Sequence, residues 1–298
     1  MYNKIIVPLD GSELAEVALP YAAELAGRLG SEVVILHVCE SADDRYHNMH
    51  KLYVQKMAGT TKRLVKRYLE KLDSTSISVR SAILFGHPAE QIVDYAETER
   101  IDLIVLATHG LSGIRRWVLG SVADKVVNAT KRPLILIRAS GVHHHVIEKG
   151  RMNKILLTLD GSKDSEAVIP YIKELASRLK GEVVLLQVVP PPSPVYAVPG
   201  YAAEIPYTPA QVELWKVEAE TYLKKVADAF NDKPIKVRSN VRAGDAAHEI
   251  IKFADELHAD LVAMSTHGRS GFSRWALGST ADKVLRAGNT SLFLVRAL

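Results

Sequence analysis

Short apolar runs alternate with longer amphipathic stretches along the whole chain. Lys4 to Leu9, Glu32 to Val38, Ile77 to Leu84, Asp102 to Leu106 and Leu134 to Ile137 are the runs of the first half. Runs of that length and composition read as strands of a parallel sheet, buried on both faces. Between them, Glu13 to Leu29, Met49 to Leu72, Pro88 to Glu99 and the segment starting at Gly120 carry apolar residues at helical spacing. Gly30 is placed to stop the first helix, Pro20 and Pro170 predict kinks inside equivalent helices, and Gly59-Thr60-Thr61 weakens the middle of the second.

The pattern then repeats. Lys4-Ile5-Ile6-Val7-Pro8-Leu9-Asp10-Gly11-Ser12 returns as Lys154-Ile155-Leu156-Leu157-Thr158-Leu159-Asp160-Gly161-Ser162, and Thr108-His109-Gly110 returns as Thr266-His267-Gly268. A period of this length marks a duplicated domain and not a solenoid. The reading is a first domain over 1–140, a linker over 141–152 and a second domain over 153–298. In each half, strands alternating with helices predict an α/β domain, a parallel sheet with helices on both faces and right-handed crossovers. Ligands of such sheets bind beyond the carboxyl ends of the strands, where the winding reverses, so Asp10 and His109-Gly110 are expected at one crevice.

Composition narrows the class without naming a chemistry. Apolar residues make up 47% and charged residues 24%, ordinary for a globular chain. A net charge of +4 with no block of like charges does not indicate nucleic-acid binding. The single cysteine, Cys39, excludes an internal disulfide and fits a reducing compartment. Met1 runs almost directly into a strand, with no secretory leader, and prolines break the longest uncharged stretch, so a cytoplasmic chain without a membrane span is expected. His143-His144-His145 lies in the linker, where consecutive side chains do not converge on a metal, and reads as solvated. Pro190 to Pro209 holds seven of the thirteen prolines together with Tyr196, Tyr201 and Tyr207. It cannot be a regular helix or central strand; a flap at the crevice, a partner-binding segment and a surface insertion are the readings open.

The candidate chemistry lies in two loops. Gly110 and Gly120 are separated by nine residues and Gly120 is followed by Ser121; Gly268, Gly278 and Ser279 repeat the arrangement. Each loop follows a strand and opens a helix, with Ser121 or Ser279 read as N-cap, so glycine lets the backbone approach an anion that the helix N-terminus favours.

At these residues the chain resembles the tandem members of the universal stress protein family. The family pattern is glycine, two residues, glycine, nine residues, glycine, then serine or threonine. Here Ala107 and Ser265 replace the first glycine; both are small, so close approach survives. The resemblance implies two Rossmann-like domains, each a five-stranded parallel sheet of order 3-2-1-4-5, with ATP, and Mg2+ beside it, bound at each. It places the adenosine among Pro8, Asp10 and Val38 in the first half and Thr158, Asp160 and Val188 in the second. The phosphates fall to Ala107, His109, Gly110, Gly120, Ser121 and Val122, and to Ser265, His267, Gly268, Gly278, Ser279 and Thr280. In that strand order Leu134 to Ile137 and Leu292 to Val295 become sheet edges, and they are expected to pair antiparallel with each other. A homodimer and an unidentified protein partner stay open.

Asp10-Gly11-Ser12-Glu13 has the spacing of a capping box, but Lys163 breaks it in the second copy, so both aspartates are read as ligand residues. His109 and His267 have no identifiable catalytic partner and read as backbone-ordering groups. Arg116 and Arg274, each before a tryptophan, fit phosphate neutralisation or a solvated position equally. Three functions follow: a nucleotide-dependent regulatory protein of the stress response, an ATP-hydrolysing or adenylating enzyme, and a scaffold with vestigial pockets, which retention of both glycine-serine loops disfavours. Neither a Walker lysine nor a fuller phosphate loop occurs, which favours the first. Because the proline-rich insertion begins directly after the second strand of the second half, that site is expected to be the more enclosed and the slower to release nucleotide.

Overall fold

The computed structural model describes residues 1–40, 46–70, 77–109, 119–138, 152–191, 207–268 and 277–297. The first repeat runs β1 (Lys4–Pro8), α1 (Glu13–Glu16), α2 (Leu19–Leu29), β2 (Glu32–Cys39), α3 (His47–Glu70), β3 (Val79–Phe85), α4 (Pro88–Thr98), β4 (Leu103–Ala107), α5 (Ser121–Ala129) and β5 (Leu134–Ile137). The second repeats it as β6 (Lys154–Thr158), α6 (Lys163–Glu166), α7 (Ile169–Leu179), β7 (Glu182–Val189), α8 (Pro209–Asp228), β8 (Lys236–Ala243), α9 (Ala246–Leu257), β9 (Leu261–Ser265), α10 (Ser279–Ala287) and β10 (Ser291–Val295). All ten strands form one sheet in the order β3-β2-β1-β4-β5-β10-β9-β6-β7-β8. Each half is the parallel 3-2-1-4-5 unit, and the halves join where β5 and β10 pair antiparallel through Ile135↔Phe293. That seam removes two apolar edges, whose open N–H and C=O groups would otherwise invite other chains.

Alternation along the strands sorts the core into two layers. Ile5, Val7, Val33, Ile35, Leu103 and Val105 face α2 and α3, while Ile6, Val34, Leu36, Ile104 and Leu106 face α4 and α5. The second repeat divides in the same way. Across the seam, Phe293 is fully buried with its ring centroid 6.5 Å from Tyr2 and 6.4 Å from Tyr171. The Tyr2 hydroxyl donates to the Tyr171 carbonyl at 2.8 Å, and burial raises that phenol's pKa well above its ordinary value. Two equivalent arginines tie the halves reciprocally. Arg138, just past β5, donates to the Leu285 carbonyl in the last turn of α10, and Arg296, just past β10, donates to the Asn128 carbonyl near the end of α5 at 2.6 Å. Both supply a donor and a positive charge to helix carbonyls that have no acceptor role inside the helix; burial lowers Arg138 to about 10.

Three local expectations are corrected. The helix over Glu13 to Leu29 is not kinked but broken: α1 ends at Glu16, and α2 restarts at Leu19 with Pro20 in its first turn. A continuous helix would need the N–H that proline lacks and would drive its ring against the Glu16 carbonyl, whereas the first turn needs neither. Pro170 divides α6 from α7 in the same way. Ser121 and Ser279 are not N-caps: Gly120 and Gly278 occupy that position without a side-chain cap, and each serine is the first helical residue. Asp10, read as a ligand residue in preference to a cap, does not cap the first helix. Ser12 does, accepting from Ala15 N, while Asp10 accepts from Ser12. In α3 the Gly59-Thr60-Thr61 stretch stays helical, with the buried Thr61 hydroxyl satisfied by the Met57 carbonyl at 2.9 Å.

The seam makes a direct prediction. Phe293→Ala removes a fully buried ring that both repeats contact, and is expected to cost about 3–5 kcal/mol in denaturant unfolding. A loss below about 1 kcal/mol would mean that the two halves do not share a core there.

Candidate functional site

Each repeat ends four elements around one crevice at the carboxyl side of its sheet. In the first, the ends of β1, β2 and β4 supply Pro8 and Asp10, Leu36 and Val38, and Ala107 and His109; Gly120, Ser121 and Val122 close it at the start of α5. In the second, Thr158, Asp160, Val188, Ser265, His267, Gly268, Gly278, Ser279 and Thr280 take the corresponding places. Thus every candidate residue within the described part of the chain lines one of two crevices. Gly110 lies outside the described residues, as do Arg116, Trp117, Arg274 and Trp275. With their open mouths included, the crevices span about 660 Å3 and 910 Å3. Sequence reading missed their apolar floors, Leu36 with Ile92 and Leu186 with Ile250. Leu36 and Leu186 sit two residues before Val38 and Val188, on the same strand face, and that period was the available signal.

The floor is apolar and the rim is built from backbone and short polar groups. Asp10 and Asp160 each use Oδ1 to accept from the backbone N–H and hydroxyl of the serine two residues on, at 3.0 and 2.6 Å in the first repeat and 2.9 and 2.6 Å in the second. The intervening Gly11 and Gly161 have φ of +95° and +82°, which the tight turn requires. Both carboxylates are therefore oriented before anything binds. In the second crevice Asp160 Oδ2 presses against Gly268, where an added Cβ would lie 2.2 Å from it.

Opposite the aspartates, the loops are latched shut at their bases. Gly120 N donates to Thr108 O at 2.9 Å and Gly278 N to Thr266 O at 2.8 Å, while Thr108 N and Thr266 N donate to Ile137 O and Val295 O of the seam strands. The latch fixes where α5 and α10 begin. Neither helix has a side-chain cap, and Asp124 N and Asp282 N are the first to find an acceptor in their own turn, Gly120 O and Gly278 O. Among the described residues, then, the N–H groups of 121–123 and 279–281 have no backbone acceptor, and the positive end of the helix dipole lies behind them at the crevice. His109 Nδ1 lies 3.0 Å from Thr108 Oγ1 and His267 Nδ1 lies 2.9 Å from Thr266 Oγ1. Among the described residues, two buried polar atoms lining these crevices have no hydrogen-bond partner, His109 Nε2 and Ser265 Oγ. Buried polar atoms are rarely left so, and both are suited to a polar ligand.

Outside the crevices, on the other layer of the core, a tyrosine ties the short helix after the first strand of each repeat to the long helix packed beside it. Tyr53 donates to Glu16 at 3.1 Å and Tyr222 to Glu166 at 2.9 Å. Burial first and the neighbouring glutamate second raise both phenols, so each stays protonated and keeps donating. The insertion from Pro192 to Pro206 lies outside the described residues, and with it the expected difference in enclosure; Tyr207, just beyond, packs edge-on against Trp215 with ring centroids 4.8 Å apart. The linker histidines, His143 to His145, also lie outside. Among the described residues no helix is long and apolar enough to cross a membrane.

Fold and crevices together define a tandem doubly wound α/β protein with one crevice at the carboxyl ends of the strands in each repeat. The chain belongs to the universal stress protein family, whose model matches residues 1–138 and 152–296. A universal stress protein of Mycolicibacterium smegmatis is 22% identical over 305 residues, covering 98% of this chain and 96% of its own. A universal stress protein of Methanocaldococcus jannaschii is 26% identical over 155 residues, covering 46% of this chain and 96% of its own, the size of a single repeat. The crystal structure of a universal stress protein from Archaeoglobus fulgidus has the same fold, with a TM-score of 0.66 at 19% identity over the full length of both chains.

The latch can be tested without a ligand. An added Cβ at Gly278 would lie 2.9 Å from Thr266 O, the acceptor of its own N–H, so Gly278→Ala is expected to lose about 1–3 kcal/mol in urea unfolding. Gly59→Ala meets nothing within 4 Å in the middle of α3 and is expected to gain about 0.5–1 kcal/mol. Equal effects at the two positions would contradict the close approach at Gly278.

Proposed function

We propose that the chain is an ATP-binding regulatory protein of the stress response, with one nucleotide site in each repeat. The observation that carries this reading is the pairing, twice in one chain, of an uncapped helix N-terminus with a pre-oriented aspartate across an apolar cleft. Phosphate oxygens satisfy the N–H groups of 121–123 and 279–281, with Ser121 and Ser279 adding a hydroxyl. A ribose hydroxyl donates to Asp10 or Asp160. Adenine lies over Val38 or Val188, between Leu36 and Ile92 or Leu186 and Ile250, and Mg2+ accompanies the phosphates.

Regulation is favoured over catalysis by the neighbours of the two histidines. A general base needs a group that orients it and a nucleophile within reach. His109 and His267 are bonded through Nδ1 to the threonines before them, which fixes each ring at its strand end, and His109 Nε2, without a partner among the described residues, is left as a binding group. Occupancy therefore changes what the loop and the start of the helix present to a partner, and no bond of the nucleotide need break.

Calorimetric titration with ATP and Mg2+ is expected to approach two equivalents per chain. Glutamate at both glycines, in the double variant Gly120→Glu, Gly278→Glu, blocks the backbone and repels phosphate, and is expected to abolish binding. Full binding by that variant, with its fold intact by circular dichroism, would refute the site.

A further inference from the structure

We infer that the first repeat carries a second, separate ligand site: a binding site for a zinc-class divalent metal ion formed by His37, Cys39 and His50. The three residues each place one ligating atom within 4.8 Å of the others. His37 and Cys39 stand two apart on β2, so their side chains share the face of the sheet that packs on α3, and His50 comes to them from the first turn of that helix. Val38, between them, faces the other way into the first crevice. The cluster is thus on the opposite side of the sheet from the proposed nucleotide, and the inference does not rest on that reading.

Chemistry as well as proximity points to a metal. His37 Nδ1 lies 2.7 Å from the Leu9 carbonyl, which can only accept, so Nδ1 carries the proton and Nε2 presents its lone pair to the cluster. A ring nitrogen tied to a backbone carbonyl, with the other turned to the ion, is the usual support of a metal-bound histidine. Nε2 lies 2.9 Å from His50 Nδ1, and the rings stack with centroids 4.7 Å apart. Bond lengths of about 2.0–2.3 Å put neighbouring ligands of a tetrahedral ion roughly 3.3–3.7 Å apart, so the pair must open by about half an ångström. His37 and Cys39 are buried, at 4% and 5% exposure, and His50 is half-buried, which gives an ion a way in.

One thiolate and two imidazoles suit a borderline ion over calcium or magnesium, with a fourth position left for water. On binding, the Cys39 thiol releases its proton to solvent, and His50 moves its ring proton from Nδ1 to Nε2. One proton leaves per metal, so affinity falls as pH is lowered.

The second repeat is an internal control. At the same register β7 has Gln187 and Val189, and Val189 packs on Val212 and Ala219 of α8. The same strand and helix are thus built without histidine or cysteine, so packing does not demand them in the first repeat.

The experiment is a Co2+ titration of the full chain, followed by the sulfur-to-cobalt charge-transfer band. Cys39 is the single cysteine, so that band can arise nowhere else. One equivalent is expected to develop it. The variant His37→Gln, Cys39→Val, which copies the second repeat, is expected to lose it, and His50→Ala is expected to weaken binding by at least the ~10–100-fold that loss of an outer-shell partner costs. Replacement of His143, His144 and His145 by alanine is expected to leave it unchanged. In the unmodified chain, Zn2+ is expected to slow alkylation of Cys39, a readout that needs no variant. Absence of the band, its persistence at full affinity in His50→Ala, or its loss with the linker histidines would each overturn the site.

Discussion

Backbone N–H groups at the starts of α5 and α10 that, among the described residues, receive neither an intrahelical acceptor nor a capping side chain are the constraint around which each repeat is arranged. An N-capping side chain is worth about 1 kcal/mol to a helix, and both repeats forgo it at the same position. Glycine stands there instead, its N–H bonded to the carbonyl of Thr108 or Thr266, and at Gly278 an added Cβ would lie 2.9 Å from that same carbonyl oxygen. The threonines are in turn anchored on β5 and β10, the strands of the seam. Burial of the seam, closure of the loops and exposure of the helix starts are therefore parts of one arrangement.

The duplication turns two half-sheets into one ten-stranded sheet and places two like crevices at fixed positions on it. Reciprocity runs deeper than the strands, since Arg138 and Arg296 each serve the other half's last helix. The repeats differ where packing leaves them free to. Pro8 is matched by Thr158, Ala107 by Ser265, and the buried His37 and Cys39 by Gln187 and Val189. These exchanges change polarity while keeping the backbone, which is how one fold can carry two crevices of one kind and a cluster of His37, Cys39 and His50 in one half only.

Much of this was legible before the coordinates. The strands declared themselves because both of their faces are buried, and the antiparallel seam followed from two apolar strands that the order implied by the family resemblance leaves at the sheet edges. The crevice rim was legible because glycine and aspartate recur at matched positions. What was not legible depends on tertiary geometry. Pro20 reads as a kink when only helix periodicity is considered, but the turn after β1 leaves room for a new helix start, which costs less than a proline in a helix interior. Ser121 looked like a cap by its residue type; the Gly120 latch to Thr108 moves the helix start by one residue. His50 reaches His37 and Cys39 across a polar stretch without regular spacing, and the two-residue period from His37 to Cys39 was the half of that cluster a sequence could show.

The measurement that bears most directly on the central claim is residue-resolved hydrogen exchange of the full chain with and without ATP and Mg2+. In the proposed complex, bound phosphate supplies acceptors to the amides at the starts of α5 and α10, which have none among the described residues. Slowed exchange concentrated at residues 121–123 and 279–281 is the result this account predicts. Unchanged exchange at those six amides in a nucleotide-saturated chain, with protection appearing elsewhere on the sheet, would contradict it.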